Sequence, residues 1–160
     1  MDPRTTVLAD TLRLNTRLFR NCLDGLTEEQ AALRPSETTN SAAFIAAHLA
    51  DSRYFLLRVL GEARPSPLAP YLDGAKGIDD LTQCPRLAET QDAWTAVSRA
   101  LRDRIAVLTA AELDARFEGR FPVEATVLGV FTFLVQHDSY HIGQLAMLRK
   151  YAGLPAMRYA

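Results

Sequence analysis

The chain is 160 residues long, 48% hydrophobic and 23% charged, enough apolar content to bury a core and too little bias for a disordered or fibrous chain. Eighteen basic residues against nineteen acidic ones, spread along the sequence, leave a formal net charge of -1 and no basic stripe to attract nucleic acid or an anionic membrane. No apolar run approaches the ~20 residues of a membrane-spanning helix, and Met1-Asp2-Pro3-Arg4-Thr5 opens no apolar signal segment, so one cytoplasmic domain over residues 1–160 is the expectation.

Leu8, Leu12, Leu18, Phe19, Cys22 and Leu26 approximate one face of a first helix from about Arg4 to Asp24, with Gly25 as its stop. Thr27-Glu28-Glu29-Gln30 has the order of a capping box, so a short connector helix should run toward Leu33 until Pro35 breaks it. Ser41, Ile45, His48, Ser52, Phe55 and Val59 follow at alternating steps of four and three, the seam of a helix packed in a bundle. They predict a second long helix from Ser41 to Leu60, stopped by Gly61.

From Glu62 to Pro85 the periodicity is lost among Pro65, Pro67, Pro70, Gly74, Gly77 and Pro85. At ~3.3 Å per extended residue this segment can travel the length of a ~30 Å helix and start the third helix parallel to the second. Leu87, Gln91, Trp94, Leu101, Ile105 and Leu108 mark that third helix, and Thr109-Ala110-Ala111-Glu112 repeats the cap logic of Thr27 to Gln30. A fourth helix should begin near Val123 or Glu124, after Pro122, and reach Tyr151 ahead of Gly153 and Pro155. It is apolar nearly all round from Val127 to Val135, as a central helix or one covered by a second subunit would be, and a homodimer is expected. With no strand alternation anywhere, the fold class is all-α, a four-helix bundle with a long crossover between helices two and three.

Cys22 and Cys84 are isolated, with no CxxC framework, and Cys22 lies on the apolar face of the first helix as a small core residue. The chemistry is concentrated in three histidines, His48, His137 and His141. The last two are four apart, which stacks both imidazoles on one helix face, and His48 in Phe44-Ile45-Ala46-Ala47-His48-Leu49 also falls on an apolar stripe. All three are thus expected to face the core. Burying three imidazoles is costly unless their nitrogens are bonded, and one divalent metal satisfies all of them. Three neutral imidazoles with an open position suit a catalytic site, since structural zinc takes four protein ligands. Zinc is the expected ion, and nickel, iron or manganese would accept the same donors.

His137-Asp138-Ser139-Tyr140-His141 is similar to the HExxH helix of metalloproteases, but with Asp for Glu and no third ligand downstream. Asp138 points roughly 100° away from His137. It reads as a solvated residue, a partner of a ligand, or a helix–helix contact rather than as a base. Asp51, three residues after His48, and Gln144, three after His141, are placed to hold a ligand's free nitrogen or a group on the metal. Together with Tyr140 they are the candidate catalytic residues. Tyr54 and Arg149 fall at similar levels as candidates for a pocket wall, and Trp94 reads as a core anchor of the third helix.

His137-Asp138-Ser139-Tyr140-His141-Ile142-Gly143-Gln144-Leu145, together with Ala46-Ala47-His48-Leu49 and the long crossover, resembles the DinB-like superfamily, which includes YfiT-like proteins and mycothiol- or bacillithiol-dependent transferases. The resemblance implies an up-down-down-up four-helix bundle and a divalent metal held by His48, His137 and His141. It also implies a low-molecular-weight thiol as cosubstrate and a small electrophile as acceptor, the reaction being S-transfer. A metal-dependent hydrolase using the same three histidines and a non-catalytic, stress-related metal-binding protein are the alternatives.

Overall fold

The computed structural model describes residues 2–75 and 77–159 and forms α1 (Thr6–Leu23), α2 (Glu28–Ala32), α3 (Ala42–Val59), α4 (Ala69–Leu72), α5 (Leu87–Ile105), α6 (Ala110–Asp114) and α7 (Val127–Tyr151). Among the described residues the only β pairing is the isolated bridge between Arg116 and Thr126, so the fold is all-α as expected. The long helices α1, α3, α5 and α7 enclose the core; α3 packs on α5 and α7, and α1 on α7 and α5. Along α1 and α7 the contacts advance in the same direction, from Asn15 on Ser139 to Cys22 on Ile142 and then Arg149. Along α3 and α5 they also advance together, from Arg53 on Ser98 to the Leu60 carbonyl on Arg104.

Each boundary has a local cause. Thr27 and Thr109 both form complete capping boxes, with Gln30 and Glu112 returning the hydrogen bond to the cap residue, so α2 and α6 are corresponding connectors after long helices. Gly25 and Gly61 take φ of 72° and 88°, the left-handed turn that ends a helix without cost only at glycine. The crossover is more ordered than its composition suggests. It carries α4 and a 3-10 turn at Ile78–Asp80, and it buries Leu68 in the core.

Two expectations are corrected here. Helix four starts at Val127 rather than Val123 or Glu124, because the Thr126 hydroxyl accepts from Gly129 N at 3.0 Å and the preceding residues form a turn. In that turn Phe117 N donates to the Ala125 carbonyl at 3.1 Å and Val127 N to Ala115 at 3.0 Å. A Cβ on Gly129 would run into the Glu124 carbonyl of this turn. Gly129→Ala is therefore expected to cost roughly 1–3 kcal/mol by overpacking, read as a lower denaturant midpoint at unchanged slope. The same turn brings Phe121 onto Phe133 at a ring separation of 5.4 Å, so part of the cover over the apolar Val127 to Val135 stretch comes from the chain itself.

The second correction concerns the seam on α3. Ser41 is its N-cap, accepting from Phe44 N at 3.2 Å, and His48, Ser52 and Phe55 lie on the half-buried side. The deepest line runs instead through Leu49, Arg53, Leu56 and Leu57. Because α3 is clasped by two helices, almost its whole circumference is covered, and a step pattern alone cannot select the innermost side.

Candidate metal centre

His48 on α3 and His137 and His141 on α7 meet at the edge of the core, in the seam between the two helices. All three are half-buried rather than core-facing, since the innermost line of α7 runs through Leu134, Asp138, Ile142 and Leu145. A margin position leaves a way in from solvent, which a fully buried cluster would lack. The His137 Nε2 lies 3.2 Å from His48 Nε2 and 3.1 Å from His141 Nε2. Two nitrogens bound to one zinc ion at ~2.0–2.1 Å and near-tetrahedral angles stand about 3.3 Å apart, so the spacing fits a shared ion.

The hydrogen-bond inventory supports the same conclusion. His141 Nδ1 meets Gln144 Oε1 at 2.6 Å, which places the proton on Nδ1 and turns the Nε2 lone pair toward the other two rings. If His137 donates from Nε2 to that lone pair, it has nothing there with which to accept from His48. If it carries its proton on Nδ1, that N–H is buried without a partner, since among the described residues His137 Nδ1 has none. The three Nε2 atoms cannot all pair with one another in neutral rings, whereas three Nε2 lone pairs converging on one cation are satisfied together; that arrangement also puts the His137 proton on Nδ1, which has no partner among the described residues.

Burial is the leading cause that lowers all three imidazole pKa values below the usual 6.5, and His137, also opposed by the other two rings, is pushed down to about 4. The unfolded chain takes up protons near 6.5 while the folded chain resists them. For the metal-free protein, stability is therefore fully present above about pH 6.5 and is lost as the pH falls toward about 4, the lowered His137 value. Thermal melts of metal-free protein over this window check it: the decline should flatten in His137→Ala/His141→Ala, and equal slopes would refute the assignment.

A family profile described as the DinB superfamily matches residues 11–145, a span that contains all three histidines. The chain belongs to the DinB superfamily. Solved structures with the same fold include a conserved protein from Enterococcus faecalis, at 16% identity and a TM-score of 0.74, covering 92% of this chain and 96% of that one. Another is a DinB-like protein, YjoA, from Bacillus subtilis, at 14% identity and a TM-score of 0.69, covering 96% of each chain. No curated protein sequence matches the chain.

In this DinB-superfamily chain the remaining candidates separate cleanly. Gln144 holds His141 and also donates from Nε2 to the Tyr140 hydroxyl at 3.1 Å, so Tyr140, exposed at the rim, belongs to the same network. Asp51 is half-buried on α3 and acts on His48 only through its charge, with no hydrogen bond to a ring among the described residues. Tyr54 and Arg149 do not join the site. Tyr54 lines a small recess with Pro67, Leu68 and Ala93 on the α5 side of α3, and Arg149 spends its guanidinium on the carbonyls of Cys22, Asp24 and Pro155. Trp94 is a core anchor, fully buried and stacked on Phe19 at 3.9 Å.

Asp138 is not solvated. It is buried against Arg53, which donates to its Oδ2 from Nε at 2.8 Å and lies 2.7 Å from it through Nη2. Arg53 is the residue that sequence reasoning missed. Its Nη1 donates to the Thr16 and Ser98 hydroxyls at 2.7 Å each, its Nη2 to the Leu12 carbonyl at 3.2 Å, and its guanidinium carbon lies 3.6 Å from the Trp94 ring centre. One side chain thereby ties α3 to α1, α5 and α7, with the carboxylate it anchors next to a metal-site histidine. The pairing of Arg53 with Asp138 leaves no periodic trace in the sequence.

Beside His137 stands a run of phenylalanines. Phe133 lies 6.2 Å from the His137 ring, Phe121 lies 5.4 Å from Phe133, and Phe55 lies 6.1 Å from Phe121, all half-buried. The centre therefore has one aromatic flank and one polar flank at Gln144 and Tyr140.

Proposed function

We infer that His48, His137 and His141 hold one divalent metal ion, and that the protein is a transferase joining a low-molecular-weight thiol to a small electrophile. The observation that carries this reading is the convergence of three Nε2 atoms, at 3.1 and 3.2 Å, on the half-buried margin of the bundle with one side left open. Zinc fits three imidazoles best, and nickel, iron and manganese accept them. Such an ion supplies Lewis acidity that lowers the pKa of a thiol brought to the site.

The chain's own residues supply orientation and polarity. Gln144 fixes the His141 tautomer, and because its amide donates to the Tyr140 oxygen, the Tyr140 proton is free to face a developing negative charge on the acceptor. Phe133 and Phe121 offer an apolar bed for the body of the electrophile and keep water from that side. Sulfur forms the new bond to carbon, the leaving group departs with its electron pair, and the thiol proton goes to solvent. Hydrolysis would want a carboxylate base at the open side: that of Asp138 is committed to Arg53, which leaves Asp51, half-buried on α3 and acting on His48 through its charge, as the residue a hydrolase would need.

The test is thiol consumption by metal-loaded protein offered bacillithiol, mycothiol, glutathione or cysteine with a panel of alkyl and aryl electrophiles. Gln144→Ala should lower metal affinity or activity roughly 10–100-fold. No thiol consumption with any pair would reject the transferase, and thiol-independent ester cleavage would put a hydrolase in its place.

A further inference from the structure

On the side of the bundle opposite the histidines, α1 and α5 touch far less than the other neighbouring long helices, and a groove of about 460 Å³ opens between them. That volume lies within the ~300–1,000 Å³ typical of small-molecule sites. Its rim is built from arginine: Arg13, Arg17 and Arg20 from α1, and Arg99 and Arg102 from α5. Steps of four and three on one helix and three on the other put each set on a single face. Against these five guanidiniums only one carboxylate among the described residues, that of Asp10, lines the groove, although the whole chain carries a net charge of -1.

The arginines are unequally engaged. Arg13 pairs with Asp10 at 2.9 Å, Arg102 with its neighbour Asp103 at 3.1 Å, and Arg20 donates to the Thr95 hydroxyl at 3.1 Å. Arg17 and Arg99, one on each wall, have no hydrogen bond or ion pair among the described residues. Between the walls the floor is apolar, with Leu12, Leu101 and Ile105. Arg53 lies in the floor too, but all its donors are already taken by Asp138, Thr16, Ser98 and Leu12.

We propose that this groove binds an organic phosphate with an apolar or aromatic body. The phosphate is shared by Arg17 and Arg99, and the body lies on Leu12, Leu101 and Ile105. Two free guanidinium forks, one from each wall of the same groove, can serve two sides of a tetrahedral dianion, whereas a single carboxylate is filled by one fork. A bare phosphate would leave the apolar floor uncovered. A nucleic-acid strand would have to continue past Asp10 and Asp103 at one end of the groove.

Calorimetric titration of the full-length protein with 1-naphthyl phosphate, inorganic phosphate and 1-naphthol reads the proposal directly. Saturable binding of 1-naphthyl phosphate is expected, at least about tenfold tighter than either fragment and weakened by added salt. Arg17→Gln/Arg99→Gln should lose about tenfold or more in affinity with unfolding midpoint and metal content unchanged. His137→Ala/His141→Ala should bind as the wild type does. The proposal is overturned if 1-naphthyl phosphate does not bind, if the arginine variant binds it equally well, or if binding disappears with the two histidines. Displacement by a single-stranded oligonucleotide at lower concentration would overturn it as well, in favour of a nucleic-acid surface.

Discussion

Arg53→Ala is expected to lower the unfolding free energy by roughly 3–5 kcal/mol, because it strands the buried Asp138 carboxylate among apolar side chains. Both side chains are almost completely buried, at 2% and 3% side-chain exposure, so solvent screening does little to soften the loss. Burial raises the Asp138 pKa, and the charge and hydrogen bonds of Arg53 oppose that rise. Removing Arg53 also leaves the Thr16 and Ser98 hydroxyls without their donor and uncovers the face of Trp94. Replacing the pair together, Arg53→Met with Asp138→Leu, should cost less than Arg53→Ala alone, since no buried charge then remains unpaired. Urea unfolding at constant slope separates these cases. An Arg53→Ala protein within about 1 kcal/mol of the wild type would refute the central role of the pair.

The second large effect is on metal. Protein purified without a histidine tag should carry about one divalent ion per chain, and His137→Ala/His141→Ala should reduce it to background, because His48 alone cannot form a site. Metal added at about 100 times its dissociation constant should stabilise the wild type by about 2.7 kcal/mol, and this gain should vanish in the variant. Neither imidazole has a hydrogen-bond partner in another helix apart from the cluster itself, so the variant should keep its helical spectrum. Full metal content in the variant would remove the site from these residues. Elemental analysis of both proteins decides it.

Both predictions turn on residues of very different legibility. His137 and His141 could be read because a helix of known period converts a spacing of four into a shared face, and His48 because histidine is scarce and sits in an Ala-rich helical stretch. Gln144 was legible for the same reason, three residues from the ring it holds. Arg53 was not, since its partners are Leu12, Thr16, Ser98 and Asp138, remote in sequence and on three other helices. Asp138 pointed away from His137 as expected from helix geometry, but whether that direction meant solvent or a buried guanidinium depended on what α3 placed there.

The sequence by itself determined the all-α class, the long helices, the paired threonine caps and the three histidines, because these follow from local periodicity, backbone hydrogen-bonding needs and residue chemistry within a few turns. Only the tertiary structure decided that the histidines stand at the margin of the core, that Arg53 and Asp138 close the polar interior, and that the arginine face of α1, where no basic stripe was expected, meets the arginines of α5 across a groove. The reason is the packing of helices against one another. A helix shows its faces in its sequence, but which face is deepest, and which distant charge it meets, is set by the neighbours that cover it.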